Sequence, residues 1–210
     1  MKPLPLAALV AAAALSTLIA LDVLWNAQVP DQVGPWLDAE AHPALARATA
    51  VAHTGLYALL VAALIRFGRA IDGGSRFVSV LRWIIIAGYA VFAILFGWII
   101  IDPGYDATGV YELAANLAFA VSLLVPIVLG FALIRRRVFR WPAMLLIAPI
   151  VLLPLTLLLQ AFTDWAHPGY METAVNFGVA LLCVAASGAD SISTRPEVPA
   201  GAAAVGAGRS

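Results

Sequence analysis

The chain has 210 residues, 63% of them hydrophobic and 11% charged, with 12 basic and 12 acidic side chains. A soluble domain averages about 45–50% apolar and about 25% charged residues, so an apolar surface of this size needs lipid to cover it. The single Cys183 lies inside an apolar run, which excludes a disulfide framework and reads as a small buried residue.

Six runs approach the about 20 residues that carry a helix across a hydrocarbon core. They fall at 5–25, 47–65, 83–101, 110–134, 142–163 and 170–188. Lys2 precedes the first as in a secretory signal, but the apolar core is longer than such a signal needs and no A-x-A site follows. It is therefore read as a spanning helix. The loop that follows is the longest, and its piece 35–45 is expected to form a short helix lying on the membrane, with proline in its first turn. The connection 66–76 is short and glycine-rich. Pro126, Pro149 and Pro154 each remove a backbone donor and are expected to kink their helices. The segment 189–210 is rich in Ala, Gly, Ser and Pro and is expected to be a disordered cytoplasmic tail.

Orientation follows from the arginines. Arg66, Arg69, Arg76 and Arg82 lie between the second and third runs, and Arg135, Arg136, Arg137 and Arg140 between the fourth and fifth. Lys2, Arg195 and Arg209 share that side, whereas Arg47 lies on the other. Basic loops stay cytoplasmic. The expected fold is all-α: a polytopic membrane bundle of six transmembrane helices over 1–188, both termini cytoplasmic, in the plasma (inner) membrane. The Arg clusters are explained by topology, so nucleic acid is not an expected partner; the lipid bilayer is, and homo- or hetero-oligomerisation is left open.

The opposite face carries Asp22, Asp31, Asp38, Glu40, Asp102, Asp106, Glu112, Asp164 and Glu172. Such a rim solvates its loops and also attracts cationic groups. Within it, E-x-A-x-N-x-x-x-A occurs twice, as Glu112, Ala114, Asn116, Ala120 and as Glu172, Ala174, Asn176, Ala180, each preceded by an Asp, at 102 and 164. The two hairpins therefore read as an internal repeat. Residues four apart share a helix face, which pairs Glu112 with Asn116, Glu172 with Asn176 and His53 with Tyr57. Polar groups inside a membrane usually face the bundle interior or a wet cavity. His53, Glu112, Asn116, Gln160, Asp164, Glu172 and Asn176 are expected to face one pocket open to the outside.

In such a pocket His53 is the candidate proton-transfer, and hence catalytic, group. The carboxylates would bind a cation or a polar headgroup, and the amides would orient it. His42, His53 and His167 are scattered and no H-E-x-x-H occurs, so no metal site is assigned. No cofactor is named by the sequence, and no phosphate-binding or nucleophile-elbow motif is present.

The segment His53-Thr54-Gly55-Leu56-Tyr57-Ala58-Leu59-Leu60 resembles the H-x-x-x-Y helix of VanZ-like membrane proteins. Gln160 followed by Glu172-x-x-x-Asn176 is similar to that family's later Q…D-x-x-x-N hairpin. The likeness covers the second, fifth and sixth runs. Thr49 and Ala50 stand where the family has Asp-Lys, Leu157 where it has Glu, and Glu172 where it has Asp. The resemblance implies a small multi-pass protein linked to the cell envelope or the glycopeptide response. The reading that results is a membrane protein whose outward-facing polar pocket, with Tyr57 among its ligand-binding residues, binds an envelope-associated, lipid-linked or cationic small molecule, with processing of that molecule left open. A transporter and a non-catalytic subunit of a larger complex are the alternatives.

Overall fold

The computed structural model describes residues 3–29, 32–102 and 109–193, with side chains described to Gly188. It is an all-helical bundle: α1 (Pro3–Gln28), α2 (Pro43–Arg66), a short α3 (Gly68–Asp72), α4 (Arg76–Ile101), α5 (Val110–Leu133), α6 (Arg140–Ile147), α7 (Pro149–Gln160) and α8 (Gly169–Ser193). Six stretches, the fifth made of a 3₁₀ turn with α6 and α7, are long and apolar enough to cross a membrane. All six expected runs fall on them. Leucines, valines and isoleucines stay exposed along the spans, as in Val10, Ile94, Leu117 and Leu157. Surface of that kind is stable against lipid and not against water.

The most enclosed span is α8. It packs against α1 and α6 and also touches α2, α5 and α7, while α2 packs on α4 and α4 on α5. The inward row of α8, half-buried Glu172 followed by buried Asn176, Val179 and Cys183, has the four-three-four spacing of a single helix face. Small residues permit the close approach. Ala8, Ala11 and Ala12 of α1 are fully buried, and a Cβ on Gly169 would meet Ile19. Gly130 of α5 lies so close to α6 that a Cβ there would come within 2.8 Å of the Ala143 carbonyl and 2.7 Å of Ile147. Membrane helices associate through such tight van der Waals packing. Gly130→Val is therefore expected to destabilise the protein by about 1–3 kcal/mol through overpacking. Gly55→Ala, which has nothing within 4 Å of its would-be Cβ and lies inside α2, is expected to raise the melting temperature in detergent slightly, as alanine suits a helix interior better than glycine.

The fifth span is interrupted at Ala148, whose N–H still reaches Met144 O at 3.0 Å. Pro149 follows, has no N–H to continue the ladder, and starts α7. Pro126 sits inside an unbroken α5 and Pro154 inside α7. The expected surface helix over 35–45 is not formed. Residues 35–37 and 39–41 are turns, Asp38 Oδ1 accepts from the backbone N–H of Glu40 and Ala41, and Pro43 instead opens α2. An aspartate that caps its own turn competes with helix formation. α8 continues through Ser193; the rest of the expected tail, 194–210, lies outside the described residues, as do Asp31 and Asp106.

Charge segregates between the two ends of the bundle. At the basic end, Arg82 gives two 2.9 Å hydrogen bonds to the two carboxylate oxygens of Asp72 and a third contact to Leu64 O. The Arg136 guanidinium donates to Ile71 O at 2.9 Å and Asp72 O at 3.2 Å, which holds the α3 turn in place. Gly73 (φ 53°) is required there: its left-handed backbone favours glycine, and a Cβ would strike Arg136.

Candidate functional site

Two hydrogen bonds join α8 to its neighbours inside the bundle. Tyr57 OH donates to Glu172 Oε1 at 2.5 Å, and Tyr89 OH donates to Asn176 Oδ1 at 2.7 Å. Both tyrosines are almost fully buried, and their rings lie 5.5 Å apart. A buried phenol normally finds a partner; here α8 supplies both, from residues one turn apart. Tyr57 also stacks on Phe92, and His53 stacks on Phe96 at 4.2 Å. These α4 rings fix the α2 side chains against α8.

Asn176 is 0% exposed, and its Nδ2 makes no hydrogen bond. The Glu172 carboxylate lies near enough to interact with this amide but does not close a full bond to it. An amide N–H₂ buried without an acceptor costs about 1–3 kcal/mol. It is the one buried side-chain polar atom without a partner among the described residues.

Hydrogen-bond partners assign the two histidine tautomers. His53 Nδ1 lies 2.9 Å from Thr49 O. A carbonyl only accepts, so Nδ1 carries the proton and Nε2 presents a lone pair. His167 Nδ1 instead accepts from the Gly169 N–H at 3.1 Å, which leaves Nε2–H as a donor in the neutral ring. Asp22 of α1 is close enough for its charge to act on His53, His167 and Glu172 together. Trp36 Nε1–H donates to Asp22 at 2.5 Å and anchors the loop above. A cleft of about 480 Å³ opens there, lined by Asp22, Asn26, Gln32, Gly34 and His167 among others.

Burial pushes the His167 pKa down, and Asp22 opposes that shift. The folded chain thus binds fewer protons at His167 than the unfolded chain. Its contribution to stability is complete above the ordinary imidazole pKa of about 6.5 and is lost as pH falls through the lowered value. His167→Gln is expected to reduce the fall in melting temperature on acidification; an unchanged pH profile would show that the ring is not buried as described.

The bundle joins Tyr57 to Glu172 by a hydrogen bond and encloses Asn176 one turn on, and His53 stands beside Tyr57, the two rings 6.3 Å apart. Glu112, Asn116, Gln160 and Asp164 stay exposed and do not join that group. Gln160 Nε2 bonds instead to Ala166 O at 3.3 Å. The two copies of E-x-A-x-N therefore stand in different surroundings: Asn176 is enclosed, whereas Asn116 is open. No group of three or more His, Cys, Asp or Glu suited to a metal ion occurs among the described residues. Tyr89, Asp22 and His167 were not singled out as site residues from the sequence. A tyrosine in the middle of an otherwise apolar span was the available signal for Tyr89, since its hydroxyl must be satisfied. No protein-family model, curated protein or solved structure matches this chain.

Proposed function

We propose that this multi-pass membrane protein binds a small polar or cationic molecule, free or lipid-linked, at the Glu172–Asn176 group. The ligand enters from the acidic end, which faces out of the cell; both termini lie in the cytoplasm and the membrane is the plasma (inner) membrane. The observation that carries the reading is the enclosed Asn176 amide, which lacks an acceptor beside a carboxylate already oriented by Tyr57. Donor, carboxylate and aromatic walls in one place are what a specific polar ligand requires. His53 Nε2 is the proton acceptor of the site and His167 Nε2–H a donor at its mouth. Processing of the ligand would use that pair for general acid–base work. The VanZ resemblance supports this reading, because four of the residues that carry it, His53, Tyr57, Glu172 and Asn176, are the ones the bundle gathers.

Native mass spectrometry of protein extracted gently from its own membrane tests the binding. A retained small-molecule or lipid adduct is expected in the wild type and lost in Glu172→Gln. Its absence from the wild type, or equal retention by the variant, would refute the proposal. A cysteine-reactive tag placed at either terminus should be protected in intact cells; labelling from outside would invert the orientation.

One observation favours transport as the second reading. Tyr89 and Asn176 lie near the middle of the bundle, the depth at which transporter sites are built. Below them Leu60, Ile85, Val179 and Leu182 are fully buried and close the path toward the basic end. Counterflow in proteoliposomes that vanishes in Asn176→Leu would select transport.

A further inference from the structure

We propose that the face of α4 that starts at the basic end of the bundle holds one anionic phospholipid. Its headgroup phosphate lies between Arg69 and Arg76, and an acyl chain lies in the groove between α4 and α5. Neither place belongs to the site at Glu172.

A cleft of about 330 Å³ at the basic end is lined by Arg69, Asp72, Gly74, Ser75, Arg76 and Ser79. Asp72 would oppose an anion, but both of its carboxylate oxygens are taken by Arg82. Arg69 and Arg76 are exposed and make no ion pair among the described residues. The cleft therefore offers two uncompensated guanidinium groups, the side chain best matched to phosphate oxygens. Its wall is already fixed, because Arg136 clamps the carbonyls of Ile71 and Asp72. A ligand would not have to order that turn on binding.

A second observation identifies the anion as a lipid. From Arg76, the same face of α4 continues four, seven and eleven residues on through Val80, Trp83 and Ala87. Val80 and Trp83 are more than half exposed, and Ala87 is exposed. At Ala87 the row enters a second groove, of about 240 Å³, which Gly88 and Val91 of α4 form with Leu117, Ala118 and Val121 of α5. Its lining side chains are all apolar. Eleven residues of helix rise about 16 Å, close to half of the roughly 30 Å hydrocarbon core. The cationic cleft and the apolar groove are thus separated by the depth of one leaflet, along one helix face. A free phosphate would use the first and have no relation to the second.

The test uses the full chain, delipidated in detergent and titrated with dioleoyl phosphatidylglycerol, dioleoyl phosphatidylcholine or inorganic phosphate, with bound lipid counted by native mass spectrometry. The wild type should prefer phosphatidylglycerol, and R69Q/R76Q should lose that preference, about tenfold or more in affinity. Ala87→Phe, which fills the exposed groove, should weaken both lipids while the arginines remain. Melting temperatures equal to wild type would show that the variants fold, as expected for exposed side chains. Undiminished phosphatidylglycerol binding by R69Q/R76Q would overturn the proposal. So would displacement of the lipid by inorganic phosphate with no effect of Ala87→Phe, which would mark a free-anion site.

Discussion

Arg82→Met is expected to lower the stability of the solubilised protein by about 3–5 kcal/mol, since it breaks one side of a buried ion pair. The side chains of Arg82 and Asp72 are only 6% and 15% exposed. Both carboxylate oxygens of Asp72 accept from this one guanidinium. Gly68 packs so closely on it that a Cβ would come within 2.6 Å of Cζ. Removal of the arginine leaves a partly buried carboxylate uncompensated and opens a space beneath α3. The double variant R82M/D72L should recover most of the loss, because a buried pair replaced by apolar groups of similar volume is often neutral. Thermal unfolding followed by tryptophan fluorescence measures both. An Arg82→Met protein that melts with the wild type would show that the pair contributes nothing.

Asn176→Leu is expected to have the second large effect, on stability and on ligand retention together. The substitution keeps the volume but removes the acceptor of Tyr89 OH, which leaves a buried phenol unsatisfied at a cost of about 1–3 kcal/mol. It also removes the free amide donor, so the retained adduct should fall about tenfold, a loss comparable with one hydrogen bond. Tyr89→Phe combined with Asn176→Leu separates the two. The unsatisfied hydroxyl is gone, so stability should return toward wild type. The ligand donor is still missing, so retention should not. If retention recovers along with stability, Asn176 acts through folding and not through contact.

The membrane fold was legible because its signal is redundant. Each span needs about 20 apolar residues, and arginines mark the loops of one end, so the six runs and the segregation of charge follow from the order of residues alone. The site was legible where helix periodicity decided it. His53 with Tyr57, and Glu172 with Asn176, share a face at any packing angle. Which faces turn inward is a tertiary matter. Glu112 and Asn116 repeat the spacing of Glu172 and Asn176, but α5 buries its Ala118–Ser122 side and leaves those two open. Nothing in the repeat itself distinguishes the copies. Arg82 illustrates the opposite case. Its charge reads as a loop marker, whereas the fold uses it as a buried partner for Asp72, ten residues upstream across a turn built on Gly73. The turns at 35–41 were missed because Pro35 suits a helix start and a turn equally well. Asp38 decides between them through its own backbone bonds.

The most direct test of the central claim is an experimental density map of the wild type in nanodiscs made with its native lipids, read at the Asn176 amide. Non-protein density larger than one water is expected within hydrogen-bond reach of Asn176 Nδ2 and Glu172, and is expected to be absent from a map of Asn176→Leu. An α8 turned so that Glu172 and Asn176 face lipid, or a dry contact that leaves no room beside that amide, would contradict it.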